Sequence, residues 1–233
     1  MTSSRLPGKV LMKVVNKPFL ALMIERLRRV PSLNGIVIAT TTNTTDDPIA
    51  ELAVELGVGC YRGSERDVLE RVLCAAKAYD IDVIVETTGD CPLIDPDLVE
   101  QCIQGYLKSD VDYVSNVLRR TYPIGMDAQV FAARILADAA ARTNHSDDRE
   151  HVSLYIYRHP EIYSLKNIPG PPELSWPELR LTLDTPEDLM RLRFIFEELY
   201  PFDPCFSLKK ILELVSHNPQ ISGANLDVGQ RNV

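Results

Sequence analysis

The sequence predicts an α/β fold, a mainly parallel mixed sheet with helices on both of its faces. Three observations lead there. Short apolar runs at 36–39, 58–61 and 82–87 are each followed by an amphipathic stretch with apolar residues at three- and four-residue spacing. The connections between these segments are short, as in crossover units of one sheet. The 233 residues, 45% hydrophobic and 25% charged, are enough for one domain with a sizeable core.

In order, residues 18–30 read as a helix. Phe19, Met23, Ile24, Leu27 and Val30 share a face, with Glu25, Arg26, Arg28 and Arg29 outward. The run 36–39 is β-branched and apolar, a buried strand. Residues 40–45 form a polar loop, and Asp47-Pro48 opens a helix that Gly57 stops. A strand at 58–61, a turn at 62–64 and a helix over about 65–79 follow. A strand at 82–87 ends in Gly89-Asp90-Cys91-Pro92, and a helix spans about 96–108. Strands are expected at 113–116 and 129–131, with a polar excursion between them. Helices are expected over 133–142 and, capped by Ser146, over 147–158. Residues 162–168 fit an antiparallel strand, the proline-rich 169–177 a loop, and 180–183 a strand. Helices over 186–200 and, capped by Ser207, to 217 complete the pattern. The economical division is one domain over 1–217, with a subregion at 113–168, and a loose polar tail over 218–233.

Composition narrows the function. The formal charge of −8, with no long basic run, argues against a nucleic-acid partner but allows a local cationic pocket for a small anion. The five cysteines (60, 74, 91, 102 and 205) are odd in number and lack CxxC spacing, which argues for free thiols in a reducing cytoplasm. Nothing reads as a membrane span or a signal peptide.

The stretch Ser3-Ser4-Arg5-Leu6-Pro7-Gly8-Lys9 combines a flexible turn, two hydroxyls and two cations. Gly8 permits a turn that a β-carbon would obstruct, and Arg5 and Lys9 suit phosphate oxygens. It reads as a triphosphate cradle or, equally, as a solvated basic arm. In open α/β sheets ligands sit beyond the carboxyl ends of strands. There the sequence places this loop, Thr40–Thr42 with Thr41 at their centre, Gly89-Asp90 and Asp184. Two carboxylates opposite a phosphate cradle suit Mg²⁺. Taken singly, Asp90 also reads as a turn residue and Asp184 as a helix cap.

Six ordered motifs then resemble one family. They are residues 3–9, Arg62-Gly63-Ser64 with Asp67-Val68-Leu69, Gly-Asp-Cys-Pro-Leu-Ile-Asp at 89–95, Arg-Thr-Tyr-Pro at 120–123, Arg-Glu-His-Val at 149–152 and Leu-Asp-Thr-Pro-Glu-Asp-Leu at 183–189. Together they are similar to the cytidylyltransferases that include spore-coat polysaccharide biosynthesis proteins and, more distantly, the CMP-sugar synthetases for sialic acid and 3-deoxy-manno-octulosonate. The resemblance implies a three-layer α/β/α, Rossmann-like nucleotidyltransferase fold. It implies a reaction of CTP with a small acidic sugar, Mg²⁺ as cofactor, and a homodimer as one form the chain could take. It assigns Arg5 and Lys9 to the triphosphate with Ser3, Ser4, Gly8 and Thr41 beside them, and Asp90 and Asp184 to the metal. Arg62, Gly63 and Ser64 fall where base and ribose are held, or form a surface turn. Asn116, Arg120, Tyr122, Asp127, Arg149 and His151 would face the acceptor; they also read as a polar subdomain or dimer arm, and His151 as a structural hydrogen bonder. Such relatives carry an apolar strand and Gln-Ala-Arg just ahead of the position of Met1, so a leading segment is expected to be missing from the numbered chain. Gln129 stands where many carry glutamate, which bears on acceptor choice. The alternatives are a nucleotide-binding homologue with reduced or lost catalysis, or a nucleotidyltransferase for another base or acceptor.

Overall fold

The computed structural model describes residues 5–222. After a 3-10 turn at Lys9–Leu11, β1 (Lys13–Val14) and β2 (Lys17–Pro18) form an antiparallel hairpin. Its turn residues, Val15 and Asn16, have φ of 45° and 62°, the left-handed pair a two-residue hairpin needs. Asparagine tolerates that conformation; a β-branched valine is strained in it.

α1 (Phe19–Leu27) leads to β3 (Val37–Thr41), α2 (Asp47–Leu56) and β4 (Gly59–Gly63). α3 (Val68–Ala78), β5 (Val83–Glu86) and α4 (Pro96–Leu107) follow. Then come β6 (Tyr113–Ser115), β7 (Gln129–Ala132), α5 (Ala133–Arg142), α6 (Ser146–Glu150), α7 (Leu154–Arg158) and β8 (Leu165–Asn167). α8 (Pro186–Leu199), α9 (Leu208–Ser216) and α10 (Pro219–Ser222) close the described chain.

β3 and β4 pair in parallel. The larger sheet has the order β5-β7-β6-β8, with β7 antiparallel to both neighbours and β8 parallel to β6. β7 reverses direction because an irregular loop, not a crossover helix, joins it to β6. Side chains alternate across this sheet as a strand's period of two requires. Val114 and Val130 pack with Met23, Ile94 and Val99 beneath α1 and α4. Tyr113 and Phe131 point the other way, stacked on each other at 5.8 Å, against Leu69, Leu73 and Leu136 of α3 and α5. The result is the expected three-layer α/β/α arrangement. A further cluster, with Phe19, Leu183, Phe196 and Phe206 fully buried, seats α8 and α9 against α1. Each such side chain contributes about 1.5–3 kcal/mol on burial.

Several expectations are corrected. Arg26, placed outward by periodicity, is buried, its guanidinium donating to the carbonyls of Ile94 and Phe206 at 2.8 and 2.9 Å. Asp47 is the first residue of α2, and Asp46 holds the cap position. The helix expected over 147–158 breaks into α6 and α7 around Val152, whose φ is 34°. His145, not Ser146, caps α6, and Ser207 makes no side-chain cap bond to α9. The antiparallel strand at 162–168 is a short parallel one beside β6. The strand at 180–183 makes only an isolated bridge, because its neighbours are the irregular segment around Ile124 and the carbonyl of Asp90. The region 113–168 supplies three strands of the main sheet. Of the expected tail, the described residues begin with α10, and Arg191 Nε donates to the Ile221 carbonyl at 2.7 Å; residues 223–233 lie outside the described residues.

Candidate active site

Two carboxylates 94 positions apart meet at one ammonium. Lys9 Nζ lies 2.9 Å from Asp90 Oδ2 and 2.8 Å from Asp184 Oδ1. Three local features produce this meeting. Gly8, with φ 70°, takes the left-handed conformation that starts the 3-10 turn carrying Lys9, while Leu6 anchors the loop in the core. Asp90 follows β5 in the tight turn closed by Cys91 N–H to the Thr88 carbonyl. Leu183 N–H donates to the Asp90 carbonyl at 2.8 Å, tying the two carboxylate-bearing segments together.

Asp184 is free to serve the site because its neighbours cap α8. The Thr185 hydroxyl accepts from Asp188 N–H, and the Asp188 carboxylate accepts from the Thr185 and Asp184 N–H groups. The Asp184 carboxylate is then surrounded by cations. Oδ1 faces Lys9 and, at 3.5 Å, the half-exposed Arg5; Oδ2 accepts from Arg180 Nη2 at 2.7 Å and the Thr182 hydroxyl at 3.2 Å. Burial alone would raise its pKa, but Lys9, Arg180 and Arg5 outweigh burial and hold it below the usual value. Burial likewise works against the charge on Lys9, and Asp90 and Asp184 reverse that and raise its pKa. Cys91, buried beside Asp90, is pushed well above the ordinary thiol value by burial and then by the carboxylates of Asp90, Asp127 and Asp184. It is poorly suited to be a nucleophile.

Among the described residues no cluster of three or more His, Cys, Asp or Glu side chains forms a self-contained metal cage. Asp90 and Asp184 offer hard oxygen donors that meet at one ammonium. That set fits a divalent cation that draws its other ligands from phosphate and water.

Gly8, Lys9 and Thr41 line one cavity of about 230 Å³, with Thr40, Asp46 and Arg71. The Thr40 and Thr41 hydroxyls both donate to Asp46 Oδ2, at 2.8 and 2.7 Å. Arg62 bonds the carbonyls of Thr41 and Asn43 and pairs with Asp47 at 2.7 Å, so it braces the loop after β3. Gly63 leaves room for Arg71, whose Cγ would lie 2.9 Å from an added Cβ, and Ser64 Oγ accepts from Asp67 N–H. Ser3 and Ser4 lie outside the described residues.

The acceptor candidates divide. Arg120 and Asp127 form a two-pronged pair at 2.8 and 2.9 Å. Asp127 acts electrostatically on Cys91, and Cys91 on Arg120, so the pair lies within electrostatic reach of the Asp90 turn. Asn116, 1% exposed, commits its amide to the Met126 carbonyl and the Ala128 N–H. Tyr122, 2% exposed, packs in the core against Gly170. Asn116 therefore does structural work here, whereas Tyr122 is a core side chain whose buried hydroxyl has no hydrogen-bond partner. Arg149 bonds the Ala140 carbonyl, lies 3.5 Å from Asp67, and lines a separate cavity of about 530 Å³ between the starts of α3 and α6. The backbone of His151 closes α6 through its N–H to the Asp147 carbonyl. Sequence reasoning missed Arg180 and Arg71. For Arg180 a signal existed: Arg180, Thr182 and Asp184 alternate, so an extended chain puts all three on one side.

The family model described as cytidylyltransferase matches residues 1–220. A solved structure of a cytidylyltransferase from Leptospira borgpetersenii has a TM-score of 0.89 at 32% identity, covering 99% of this chain and 95% of its own. The spore coat polysaccharide biosynthesis protein SpsF of Bacillus subtilis is 32% identical over 226 residues, 94% of this chain and 92% of SpsF. A 3-deoxy-manno-octulosonate cytidylyltransferase of Geobacter metallireducens is 27% identical over 245 aligned positions, 92% of this chain and 94% of the relative.

Proposed function

We propose, from the premise that this chain belongs to the cytidylyltransferase family, that it transfers CMP from CTP to a small acidic sugar with release of pyrophosphate, for surface polysaccharide or glycan synthesis. The observation that supports this most is the convergence of Lys9 on Asp90 and Asp184 beside the Gly8 turn. The names of two relatives point to the acceptor class: one acts on 3-deoxy-manno-octulosonate, the other belongs to spore coat polysaccharide biosynthesis. CTP is held in the cytoplasm, which is where the reaction would run; among the described residues no helix is long and apolar enough to cross a membrane.

An acceptor oxygen attacks the α-phosphorus in line and pyrophosphate leaves. Such a displacement asks the protein for positioning and charge neutralisation more than covalent chemistry. Arg5 and Lys9 would face the departing oxygens, with Lys9 exchanging a carboxylate contact for phosphate. Asp90 and Asp184 would hold Mg²⁺, whose charge would neutralise phosphate oxygens. The Arg120–Asp127 pair, within electrostatic reach of the Asp90 turn, would orient the acid sugar, Arg120 being the cation its carboxylate would seek.

The test is pyrophosphate release by the full chain against a panel of acidic sugars. Release should require CTP, Mg²⁺ and an acceptor together. Failure of every acidic sugar overturns the proposed reaction; CTP binding without turnover would then point to a nucleotide-binding homologue, and turnover with another nucleotide to a different base.

A further inference from the structure

We infer that Arg180 is the residue that positions Asp184 for the reaction, holding one carboxylate oxygen back so that only the other faces the site. The inference rests on the reading of Asp184 as a working carboxylate. Arg180 is buried, and its Nη2 reaches Asp184 Oδ2 at 2.7 Å and Thr182 Oγ1 at 3.0 Å. The Thr182 hydroxyl closes a triangle on the same Oδ2 at 3.2 Å. Oδ1 is left to Lys9 and Arg5. The backbone on both sides of this contact is also pinned. The Arg180 carbonyl accepts from Arg191 Nη1 at 3.0 Å, and Asp184 N–H donates to Asp188, which itself pairs with Arg191.

This arrangement is poor engineering for stability alone. Arg180 Nε is buried with no hydrogen-bond partner. Arg180 and Arg191 are close enough for repulsion to lower the Arg191 pKa, after burial. A buried charge with an unsatisfied donor and a like-charged neighbour is an arrangement that apolar packing often replaces without loss of stability. Its distinctive product is directional: a carboxylate with one oxygen committed has a single orientation and presents one donor. Arg180 touches neither substrate nor metal in this scheme and acts only through Asp184.

The experiment compares wild type with Arg180→Met and Arg180→Lys in three measurements: Mn²⁺ binding by EPR with Mn²⁺ alone, steady-state kinetics with CTP, and thermal melting. Methionine keeps the buried stem, and Asp184 keeps Lys9 and Arg5 as partners, so the fold should survive. Removing a buried positive charge beside the carboxylate should tighten Mn²⁺ binding about tenfold. Losing the fixed orientation should lower kcat about a hundredfold, with the KM for CTP little changed. Arg180→Lys should move both quantities back toward wild type. Metal affinity rising while turnover falls is an opposition that a general structural lesion would not produce. Mn²⁺ binding that is unchanged or weaker in Arg180→Met, or activity lost only in step with melting, overturns the inference and leaves the reading of Asp184 intact. A wild-type chain that binds no Mn²⁺ overturns both.

Discussion

Replacing Lys9 with methionine removes the ammonium on which the site converges and keeps most of its apolar stem. Lys9 sits 2.9 and 2.8 Å from the two carboxylates, at side-chain exposures of 16% for the lysine and 28% and 15% for Asp90 and Asp184. Gross attraction at these distances is about 5–6 kcal/mol per pair at an effective dielectric constant of about 20. Most of that is offset, because burial opposes the charged lysine and Asp184 retains Arg5 and Arg180. The net loss of stability should be about 1–2 kcal/mol, or about 3–6 °C in melting temperature. The catalytic loss should be larger, about 3 kcal/mol of barrier or about a hundredfold in rate, because in the proposed reaction a preorganised charge would be missing where pyrophosphate leaves. A pH effect follows as well. Asp184 has a lowered folded pKa, so its contribution to stability is present above the unfolded value and is lost as pH falls through the folded one. Without Lys9 the folded pKa rises toward the unfolded value, so this contribution should shrink and its loss should be complete at higher pH than in wild type. The assays are pyrophosphate release at saturating CTP and thermal melting across pH 3–7. A Lys9→Met enzyme within threefold of wild-type turnover would refute the reasoning, as would a rate loss explained by unfolding.

Gly125→Ala tests how Asp184 is delivered. Gly125 has φ +100°, and an added Cβ would lie 2.9 Å from the Leu181 carbonyl carbon. The substitution should cost about 2 kcal/mol or more by urea unfolding and reduce activity by displacing the segment 179–184; an unperturbed variant would refute the close approach. Glu86→Gln tests a buried carboxyl. Burial, only partly countered by a hydrogen bond from Ser153, pushes Glu86 up to about 7, and its Oε2 has no partner. A raised carboxyl binds its proton more tightly in the folded state, so stability is lost as pH rises from the unfolded value of 4.5 through about 7. The residue as a whole is only half-buried, so the full equivalent of about 3 kcal/mol is an upper bound. Glu86→Gln should therefore gain on wild type between pH 5 and 8 in urea unfolding; a difference that does not change with pH would refute the assignment.

Much of the layered fold was legible because local and tertiary demands agree. The helix at Asp47–Leu56 is bounded by Asp47-Pro48 and by Gly57 at φ 62°, and both signals are chemical properties of those residues. The break at Val152 was not legible, because no proline or glycine marks it and packing holds a valine at φ 34°. The direction of β8 was invisible for a different reason: three residues carry no pattern that distinguishes a parallel neighbour from an antiparallel one.

The site divides along the same line. Asp90 and Asp184 could be read from their place after apolar runs, and Lys9 from its turn, since each depends on its immediate neighbours. Whether Asp184 would be spent as a cap could not be read from Asp184 itself; it was decided by Thr185 and Asp188, which cap the helix between them. Asn116 shows the converse. Polar side chains in a family motif look like ligand contacts, yet a buried asparagine can equally complete two backbone groups that no strand satisfies, as Asn116 does for Met126 and Ala128. The alternation of Arg180, Thr182 and Asp184 marks a shared side of the chain but does not tell that Arg180 is buried. Its burial comes from the segment around Ile124 and from Arg191, which approach from remote parts of the chain. A carboxylate that follows an apolar run can thus be found from its own neighbours, whereas the burial of the cation beside it is settled only when the chain has closed around both.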